Sequence, residues 1–493
     1  MLIALALSPL LVVGVGALLL MLAEALSPHR GGLALGAAAI LMAGAAFAAS
    51  VWMFGVEHLE GAETLLPWLI TDRFTLFFDM LLCFGGAVAA LLAGGYMPEH
   101  HIERGEFYSL LLFSTVGAMI LAAAGDALTL FLGLETMSIG AYAMTAFRRA
   151  SPRSSEGALK YFLLGSFAAA ILIYGFALLY GATGHTDLAG IGAGARSAGV
   201  ETPLVVMGCV LVLVGLAFKV SAVPFHSWAP DAYEGAPTPA TAFMAVAVKA
   251  GAFAMMLRVL VLSFGGVAWT SWASGWPPVV ATIAVLTMTV ANLVAGRQES
   301  VKRMLAYSSI AHAGYALVGV TAVMHAPHEA GGAVLFYLAA YSVSTVGAFG
   351  ALILCGSRGR EAVSYEDLAG IGRRHPAIAL AFSVCLLSLA GIPPTAGFFG
   401  KWVVFRSAIN SGLYWLVVIA FMNSVVGAYY YLRVLVYMYM REPAAGAAVA
   451  VPMRSAYVTT ALVVTAILVL ALGLAPMHSL AAAVNAATFG AGG

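Results

Sequence analysis

Two apolar segments of this chain are broken by proline, and the longer one reads FKVSAVPFHSWAPDAYEGAPTPATAF at residues 218–243. The other reads LAGIPPTAGFFGKW at residues 389–402. Proline removes a backbone hydrogen-bond donor and clashes with the preceding turn, so discontinuous helices are predicted near 218–226 and 389–396. Such breaks occur at membrane depth where they are buried in protein or line a wet cavity. Transporters place broken helices in two halves and build their ion sites there.

Long apolar segments occupy the rest of the chain as well. Of its 493 residues, 62% are hydrophobic and 9% are charged, whereas soluble domains carry roughly 25% charged residues. Lipid is therefore the expected solvent, and the segments are too long for the strands of a β-barrel. We predict an all-α integral membrane protein with about 14 transmembrane helices in a single polytopic domain over residues 1–493. The predicted spans are 2–26, 32–55, 74–95, 107–124, 127–147, 157–181, 203–225, 240–263, 276–296, 302–323, 330–356, 376–410, 412–440 and 456–480.

Basic residues are distributed unevenly between alternate loops. One set of loops carries fourteen of them, and the other carries only Arg73 and Arg196. Because basic loops stay in the cytoplasm, both termini are expected on the outer side, the periplasm of a bacterium, in a multi-pass protein of the inner membrane. The first apolar segment is too long for a signal peptide and counts as a span. The fourteen residues are Arg30, Arg104, Arg148, Arg149, Arg153, Arg297, Lys302, Arg303, Arg358, Arg360, Arg373, Arg374, Arg441 and Arg454.

The sequence has no pattern typical of a cofactor, metal or nucleic-acid site. Its net charge of +1 gives no electrostatic reason to bind nucleic acid. The four cysteines occur singly, without CxxC or metal-ligand spacing, and no glycine-rich nucleotide-binding loop follows a strand pattern. We expect no cofactor and no metal in this chain. The cysteines are Cys83, Cys209, Cys355 and Cys385.

Lysine is rare here and is concentrated in the apolar segments. Of the five lysines, Lys302 belongs to the basic loop set, and Lys160, Lys219, Lys249 and Lys401 lie inside predicted spans. A charge at the bilayer centre costs about 2.5–3.5 kcal/mol even on a lenient insertion scale. A buried lysine can escape that cost by releasing its proton, whereas arginine cannot. Lysines at this depth therefore indicate groups that change protonation state.

Glu135 is the carboxylate closest to the middle of a predicted span. Asp79 and Asp126 lie nearer span ends, and Glu24 lies at the end of the first span. At about 7 Å and an effective dielectric constant near 20, a carboxylate and an ammonium attract by roughly 2.4 kcal/mol. Glu135 could thus control whether a nearby lysine holds its proton.

Other interpretations of these residues stay open. Lys160 follows Glu156 by four residues near a span start, which also fits an interfacial ion pair. His226 and His312 are candidate relays, but a lone histidine among helices is as often a packing residue. The run Tyr429 to Tyr431 favours interfacial packing over a cofactor site.

The two halves of the chain also resemble each other. MLRVLV at 256–261 is matched by YLRVLV at 431–436, an offset of 175 residues. The match is imperfect, because Lys249 aligns with Ser424 and the second half has no counterpart of Glu135. We therefore expect unequal halves flanked by terminal helices. The expected parts are N-terminal helices at 1–95, a first half at 107–263, a second half at 276–440 and a C-terminal helix at 456–480.

Several motifs resemble those of the antiporter-like membrane subunits of respiratory complex I, especially the subunit N family of NADH-quinone oxidoreductases. Besides the two broken segments, they are FLGLETMSIGAY (131–142), SEGALKYFLLGS (155–166) and SVKRMLAYSSIAHAGY (300–315). The resemblance implies fourteen helices with two inverted repeats. It also implies proton translocation driven by quinone reduction elsewhere in a multi-subunit complex. NADH, FMN, iron–sulfur clusters and quinone would then be bound by partner subunits, and other membrane subunits and the lipid bilayer would contact this chain.

The resemblance also implies which residues move protons. By motif these are Glu135, Lys219, Lys249 and Lys401, with Lys160, His226 and His312 as candidate relays. We expect Glu135 to tune Lys219, protons to pass through water and His226 to Lys249, and then by His312 toward Lys401. A cation/proton antiporter subunit is the first alternative function, and a purely structural anchor is the second.

Overall fold

The computed structural model describes most of the chain, namely residues 2–26, 32–56, 65–357, 359–443 and 450–489. Two of the basic loop residues counted above, Arg30 and Arg358, lie outside these ranges. Within the described residues, all regular secondary structure is helical, with a few isolated β-bridges and no sheet. The prediction of an all-α fold is confirmed.

The α-helices of the described residues are numbered here in chain order. The first group comprises α1 (Leu2–Ala6), α2 (Ser8–Leu26), α3 (Gly32–Phe54), α4 (Arg73–Glu99), α5 (Glu106–Ala123), α6 (Ala127–Thr145), α7 (Pro152–Thr183), α8 (Leu188–Ala198), α9 (Pro203–Lys219), α10 (Trp228–Gly235), α11 (Thr238–Phe243) and α12 (Lys249–Phe264). The second group comprises α13 (Pro277–Ala295), α14 (Val301–Ala322), α15 (Pro327–Cys355), α16 (Tyr365–Leu368), α17 (Ile371–Arg374), α18 (Pro376–Ala390), α19 (Ala396–Asn410), α20 (Tyr414–Met440), α21 (Ala456–Leu474) and α22 (Pro476–Ala486). A π-helical turn, Met244–Val248, joins α11 to α12.

Eleven helical stretches of the described chain are long and apolar enough to cross a membrane. The three remaining predicted spans are occupied by α9, by α14, and by α18 together with α19. α9 and α18 are short because they end at the breaks, whereas α14 is long enough but more polar. Each of the predicted spans therefore corresponds to a helix or to a broken pair.

The first predicted break is confirmed between α9, which ends at Lys219, and α10, which begins at Trp228. Side chains form hydrogen bonds with backbone groups of this interruption. The Val223 N–H donates to Thr287 Oγ1 at 2.9 Å, and Trp228 Nε1 donates to the Phe218 carbonyl at 3.3 Å. Because unpaired backbone groups are costly away from water, these contacts stabilise the interruption.

The second predicted break is confirmed between Ala390, the last residue of α18, and Ala396, the first residue of α19. Gly391 has a φ of 85°, a left-handed conformation that glycine adopts without steric cost. The Gly397 N–H donates to Ser388 Oγ at 3.0 Å, so the start of α19 is tied to the end of α18.

Burial separates central from peripheral helices. α15 and the segment from α11 to α12 are almost completely enclosed by other helices, whereas only about a third of α2 and of α3 is buried. Leu18 of α2 is 53% exposed and Leu41 of α3 is 72% exposed. α2 and α3 therefore lie at an edge of the bundle that lipid or a partner must cover.

Helix starts recur at close to the offset of the sequence repeat. α7 begins at Pro152 and α15 at Pro327, 175 residues later, and α6 and α14 begin 174 residues apart. This spacing agrees with the expected halves at 107–263 and 276–440. The division into those parts stays a prediction.

Candidate functional site

Lys219 is the last residue of α9, at the edge of the first break. Its side chain is buried, and Nζ donates to Ser138 Oγ of α6 at 2.7 Å. The ammonium lies 5.6 Å from the ring centre of Tyr142 and 5.8 Å from that of Tyr161. A helix C-terminus carries unpaired carbonyls and partial negative charge, so the position favours a cation without fixing it in an ion pair.

Glu135 lies on α6, one turn before Ser138, and is half-buried. Its neighbours along the same side of the helix, Leu132 and Ile139, are 64% and 59% exposed, so this side faces outward from the chain. Among the described residues, no hydrogen bond or ion pair joins Glu135 to Lys219, although Lys219 binds the next turn of the same helix.

Lys249 directly follows the π-helical turn and is buried. Its Nζ donates to both the carbonyl and the hydroxyl oxygen of Ser309 of α14, each at 2.5 Å. Tyr341 of α15 donates to the same Ser309 Oγ at 2.7 Å. A π-helical turn adds a residue to the helix and changes the direction of the side chains that follow, and it is frequent at functional sites.

His312 lies one turn after Ser309 on α14 and is buried. Its Nδ1 is 2.6 Å from the Tyr337 hydroxyl, and its Nε2 is 3.1 Å from the Tyr431 hydroxyl. Tyr431 is also hydrogen-bonded to Ser308. The imidazole therefore has a hydroxyl partner on each nitrogen and is part of a polar network beside the Lys249 contact.

Lys401 of α19 is buried against the second break. Its Nζ donates to the Ala390 carbonyl, the last of α18, at 3.0 Å and to Ser424 Oγ of α20 at 2.9 Å. It also lies 5.0 Å from the ring centre of Tyr315, one turn after His312. Lys401 thus lies on the second helix of its broken pair and contacts the end of the first, whereas Lys219 is itself the last residue of the first helix of its pair.

Lys160 has a different environment. Its side chain is 43% exposed and pairs with Glu156 at 2.6 Å and with Asp231 of α10 at 2.7 Å. Asp231 also pairs with Arg303 at 2.8 Å. This geometry fits the alternative of an interfacial ion pair, with a partner on α10 that local spacing could not reveal. The relay role of Lys160 stays a prediction.

His226 lies in the first break and is half-buried. Its Nδ1 has no hydrogen-bond partner among the described residues, and no contact there joins it to Lys219 or Lys249. Of the two acids left unassigned by the sequence, Asp126 caps α6 by accepting from the Leu128 N–H at 2.8 Å. Asp79 is buried, and its Oδ1 has no partner in the described chain.

A buried ionic cluster around Glu361 was missed by sequence reasoning. Glu361, in the loop after α15, accepts from Tyr96 at 2.6 Å and from Thr238, and it pairs with Arg148 at 3.4 Å and Lys302 at 3.5 Å. Lys302 is not the loop cation assumed from the sequence, because its side chain is fully buried. One sequence feature could have indicated its burial, because Lys302 is the only lysine in a loop set that otherwise contains arginines.

The charges around Glu361 determine its ionisation. Burial alone would raise the pKa of Glu361, but the Lys302 ammonium and the Arg148 guanidinium, with hydrogen bonds from Thr238 and Tyr96, lower it to about 2. Glu361 is therefore a permanent carboxylate at neutral pH. It joins α4, α11, α14 and the loop after α6 at the end of the bundle that carries the arginine-rich loops.

A second ionic contact missed by sequence reasoning involves Arg258 of α12, which is fully buried. Its guanidinium forms a bidentate pair with Asp72 at 2.8 and 3.0 Å and donates to Thr75 Oγ1 at 2.8 Å. Bidentate pairs combine strength with fixed geometry. The contact fixes α12 against the start of α4, at the opposite end of the bundle from Glu361.

Comparisons with known proteins agree on one family. The family model described as "NADH:quinone oxidoreductase/Mrp antiporter, TM" matches residues 124–427. NADH-quinone oxidoreductase subunit N 1 of Sorangium cellulosum is 67% identical over 98% of both chains. The subunit N of Trichlorobacter lovleyi is 45% identical over 76% of this chain and 75% of its own length.

Solved structures give the same fold. A chain of respiratory complex I from Thermus thermophilus with bound aureothin is 35% identical, with a TM-score of 0.80 over 96% of this chain and 98% of that one. A chain of the Mrp complex from Dietzia sp. DQ12-45-1b has a TM-score of 0.84 over 99% of this chain and 97% of that one. Its identity of 22% supports similarity of fold alone.

Proposed function

This chain belongs to the NADH-quinone oxidoreductase subunit N family, and on that basis we propose that it is a proton-translocating membrane subunit of a bacterial respiratory complex I. It would lie in the inner membrane as a multi-pass protein, beside the other membrane subunits of the complex. The free energy would come from electron transfer between NADH and quinone in partner subunits. In this proposal the chain itself has no redox role and binds no cofactor.

The observation that carries the proposal is the difference between two groups of lysines. Lys219, Lys249 and Lys401 are buried, and each donates only to hydroxyl or carbonyl oxygens within the described chain. Lys160 and Lys302 instead pair with carboxylates. A carboxylate partner holds the proton on an ammonium, whereas neutral acceptors allow the amine to release it. The first three lysines are therefore suited to transfer protons.

One side of α14 supports a route between two of these lysines. Ser309, His312 and Tyr315 follow one another at intervals of three residues, so they lie along the same side of the helix. Lys249 donates to the first, and Lys401 lies over the ring of the third. We infer that the proton moves between Lys249 and Lys401 along this side, with His312 as the intermediate group.

The step between Lys219 and Lys249 depends on water, because no continuous chain of described side chains joins them. His226, with an unpartnered Nδ1 in the first break, is suited to accept a proton from such water. Glu135 lies one turn from Ser138, which binds Lys219. Its negative charge would favour the protonated form of Lys219. A new charge at one site favours or opposes protonation at the next by Coulomb attraction or repulsion in a medium of low dielectric constant.

The proposal has a sharp test in Lys249→Arg. Arginine keeps the positive charge and reaches the same oxygens, but it does not release its proton. We expect the assembled complex to lose proton pumping by about tenfold or more, in the range typical of losing a proton-transfer group. The measurement is acidification of inverted membrane vesicles on addition of NADH, with the complex quantified by native gel electrophoresis.

Lys160→Arg is the matched control. Lys160 is already paired with Glu156 and Asp231, so a permanent charge there should preserve pumping. For this reason our proposal places Lys160 outside the relay. If Lys249→Arg pumps normally at full assembly, proton transfer through Lys249 is wrong. If Lys160→Arg alone abolishes pumping, Lys160 belongs to the relay.

A subunit of a cation/proton antiporter is the first alternative, and the Mrp structure shares the fold. Co-purification separates the two functions. A complex I subunit is recovered with flavin- and iron–sulfur-containing partners that oxidise NADH, whereas an antiporter subunit is recovered without them.

Both termini are proposed to lie in the periplasm.

A further inference from the structure

A cavity of about 520 Å³ lies between α2 and α5, at the edge of the bundle. One part of its wall is apolar and the other is polar. The lining residues are Met21, Glu24, Ala25, Arg104, Glu106, Ser109, Leu110 and Phe113. None of these residues takes part in the proton route proposed above, so the cavity needs a separate explanation.

Two buried polar atoms in this lining have no hydrogen-bond partner among the described residues. Glu24 is 6% exposed and its Oε2 accepts no hydrogen bond, and Ser109 is 4% exposed and its Oγ is also unpaired. Buried polar groups are nearly always hydrogen-bonded, and an unpaired carboxylate is the most costly exception. Two such atoms on one cavity indicate a missing ligand that carries hydrogen-bond donors.

The Glu24 carboxylate lies close to Gly105. A Cβ at Gly105 would lie 2.3 Å from Glu24 Oε2, so the carboxylate packs directly against the backbone just before α5. A side chain at position 105 would force the carboxylate to move. Glycine at this position therefore leaves room for the carboxylate on the cavity wall.

Charges of both signs line the cavity without neutralising each other. Arg104 forms no ion pair with a described residue, and Glu106 pairs outside the cavity with Arg149 at 3.6 Å. Within the described part of the chain, neither the Glu24 carboxylate nor the Arg104 guanidinium has an ion-pair partner. This arrangement complements a dipolar group with separate positive and negative ends.

The cavity also lies where a membrane lipid would reach it. Glu24 is close to the end of α2 and Arg104 precedes the start of α5, at the same end of the bundle as Arg148 and Arg149. Met21, Leu110 and Phe113 extend the lining along the helices toward the membrane interior. The peripheral position of α2 opens this edge to the bilayer.

We propose that this cavity binds an aminophospholipid. The ammonium of the headgroup would bind Glu24, the phosphate would bind Arg104 and Ser109, and an acyl chain would pack along Met21, Leu110 and Phe113. A phospholipid without an amine, such as phosphatidylglycerol, brings the same phosphate but no ammonium, so it leaves Glu24 unpaired and keeps a net negative charge. The site therefore selects for phosphatidylethanolamine over phosphatidylglycerol.

The test uses the whole complex purified in mild detergent, washed free of loosely bound lipid and titrated with each phospholipid while bound lipid is counted by native mass spectrometry. Wild type should bind phosphatidylethanolamine more tightly than phosphatidylglycerol. Glu24→Gln and Arg104→Gln should each weaken phosphatidylethanolamine binding by about tenfold, the loss expected for one charged hydrogen bond. Glu366→Gln, at an exposed position outside the cavity, is the matched control and should bind as wild type does.

A photo-crosslinking residue at position 113 identifies the occupant independently of any effect on folding. Crosslinking to phosphatidylethanolamine supports the proposal. Crosslinking to a partner subunit shows that a protein segment fills the cavity and overturns it. Equal affinity of wild type for the two lipids, or no change in either cavity variant, also overturns it. These outcomes do not depend on whether protons move through Lys249.

Discussion

The five lysines of this chain show that the partner of an amine matters more than its depth. Lys302 is as deeply buried as Lys249, yet it contacts the Glu361 carboxylate and the Ala236 carbonyl. Among the described residues, Lys249 forms hydrogen bonds only with Ser309. The carboxylate partner of Lys302 keeps that lysine charged and joins helices. The neutral acceptors of Lys249 leave its proton exchangeable. The number of buried lysines therefore overestimates the number that can transfer protons. The hydrogen-bond acceptors of each amine must be known to tell them apart.

Glu361→Gln tests the structural part of this distinction. The amide keeps the shape but leaves Lys302 and Arg148 without their anion, and breaking a buried ion pair typically costs about 3–5 kcal/mol. We expect the variant complex to unfold at lower temperature than wild type, measured by differential scanning fluorimetry. Glu366→Gln, on the exposed side of α16, should leave the transition unchanged.

The same residue predicts a pH dependence. The pKa of Glu361 is about 2 against an ordinary value of 4.5, so the folded state favours the carboxylate. This stabilisation, about 3 kcal/mol, is fully present above pH 4.5 and is lost as the pH falls toward 2. Wild type should therefore lose stability faster than Glu361→Gln between pH 5 and 3. Equal slopes in the two unfolding curves would show that the ion cluster does not stabilise the fold.

At the scale of elements, each broken helix ends beside a lysine of the proposed relay. Lys219 is the last residue of α9, and Lys401 donates to the last carbonyl of α18. An unbroken helix would use the Ala390 carbonyl internally, and Lys401 would keep only Ser424 as an acceptor. The second break thus supplies one of the two acceptors of Lys401, whereas the first break places Lys219 at a helix end, where it donates to Ser138 of α6.

Gly391→Ala tests whether the second break positions Lys401. Gly391 has a φ of 85°, and a Cβ there would lie 3.0 Å from Lys401 Cδ and 3.3 Å from Nζ. Alanine would displace the amine from the Ala390 carbonyl and Ser424. We expect proton pumping to fall by roughly tenfold, because small misplacements of transfer groups are costly. The measurement is vesicle acidification at equal complex content.

Gly412→Ala provides the matched control for backbone strain. Gly412 has a φ of 77°, but no heavy atom lies within 4 Å of a Cβ built there. Both substitutions carry the left-handed penalty of about 1–2 kcal/mol, and only Gly391→Ala also crowds Lys401. If both variants pump equally, displacement of the lysine is not the cause.

The sequence was sufficient to predict the helices and their breaks, but it was insufficient to predict the contacts between helices. Apolar length and proline positions act locally, so the spans and both breaks could be predicted from residues such as Pro224 and Pro394. The partners of Lys249 and Lys302 lie about 60 residues away along the chain, and no local pattern connects them. Asp231, bound to Lys160 and Arg303, was missed for the same reason.

For the whole molecule, the basic loops predict an orientation that labelling can test. Val267, between α12 and α13, is 90% exposed and belongs to the end predicted to face the periplasm. Glu442, just after α20, is exposed at the opposite end. A membrane-impermeant maleimide added to intact cells should label Val267→Cys and spare Glu442→Cys. The four native cysteines are buried and should give little background.

Inverted membrane vesicles reverse the accessible side and complete this test. There Glu442→Cys should react and Val267→Cys should be protected, which also shows that neither position is hidden by a partner subunit. The opposite pattern in both preparations would place the termini in the cytoplasm. The Glu361 cluster and the aminophospholipid cavity would then lie in the periplasmic half, because both share the end of the bundle that carries Arg104 and Arg148.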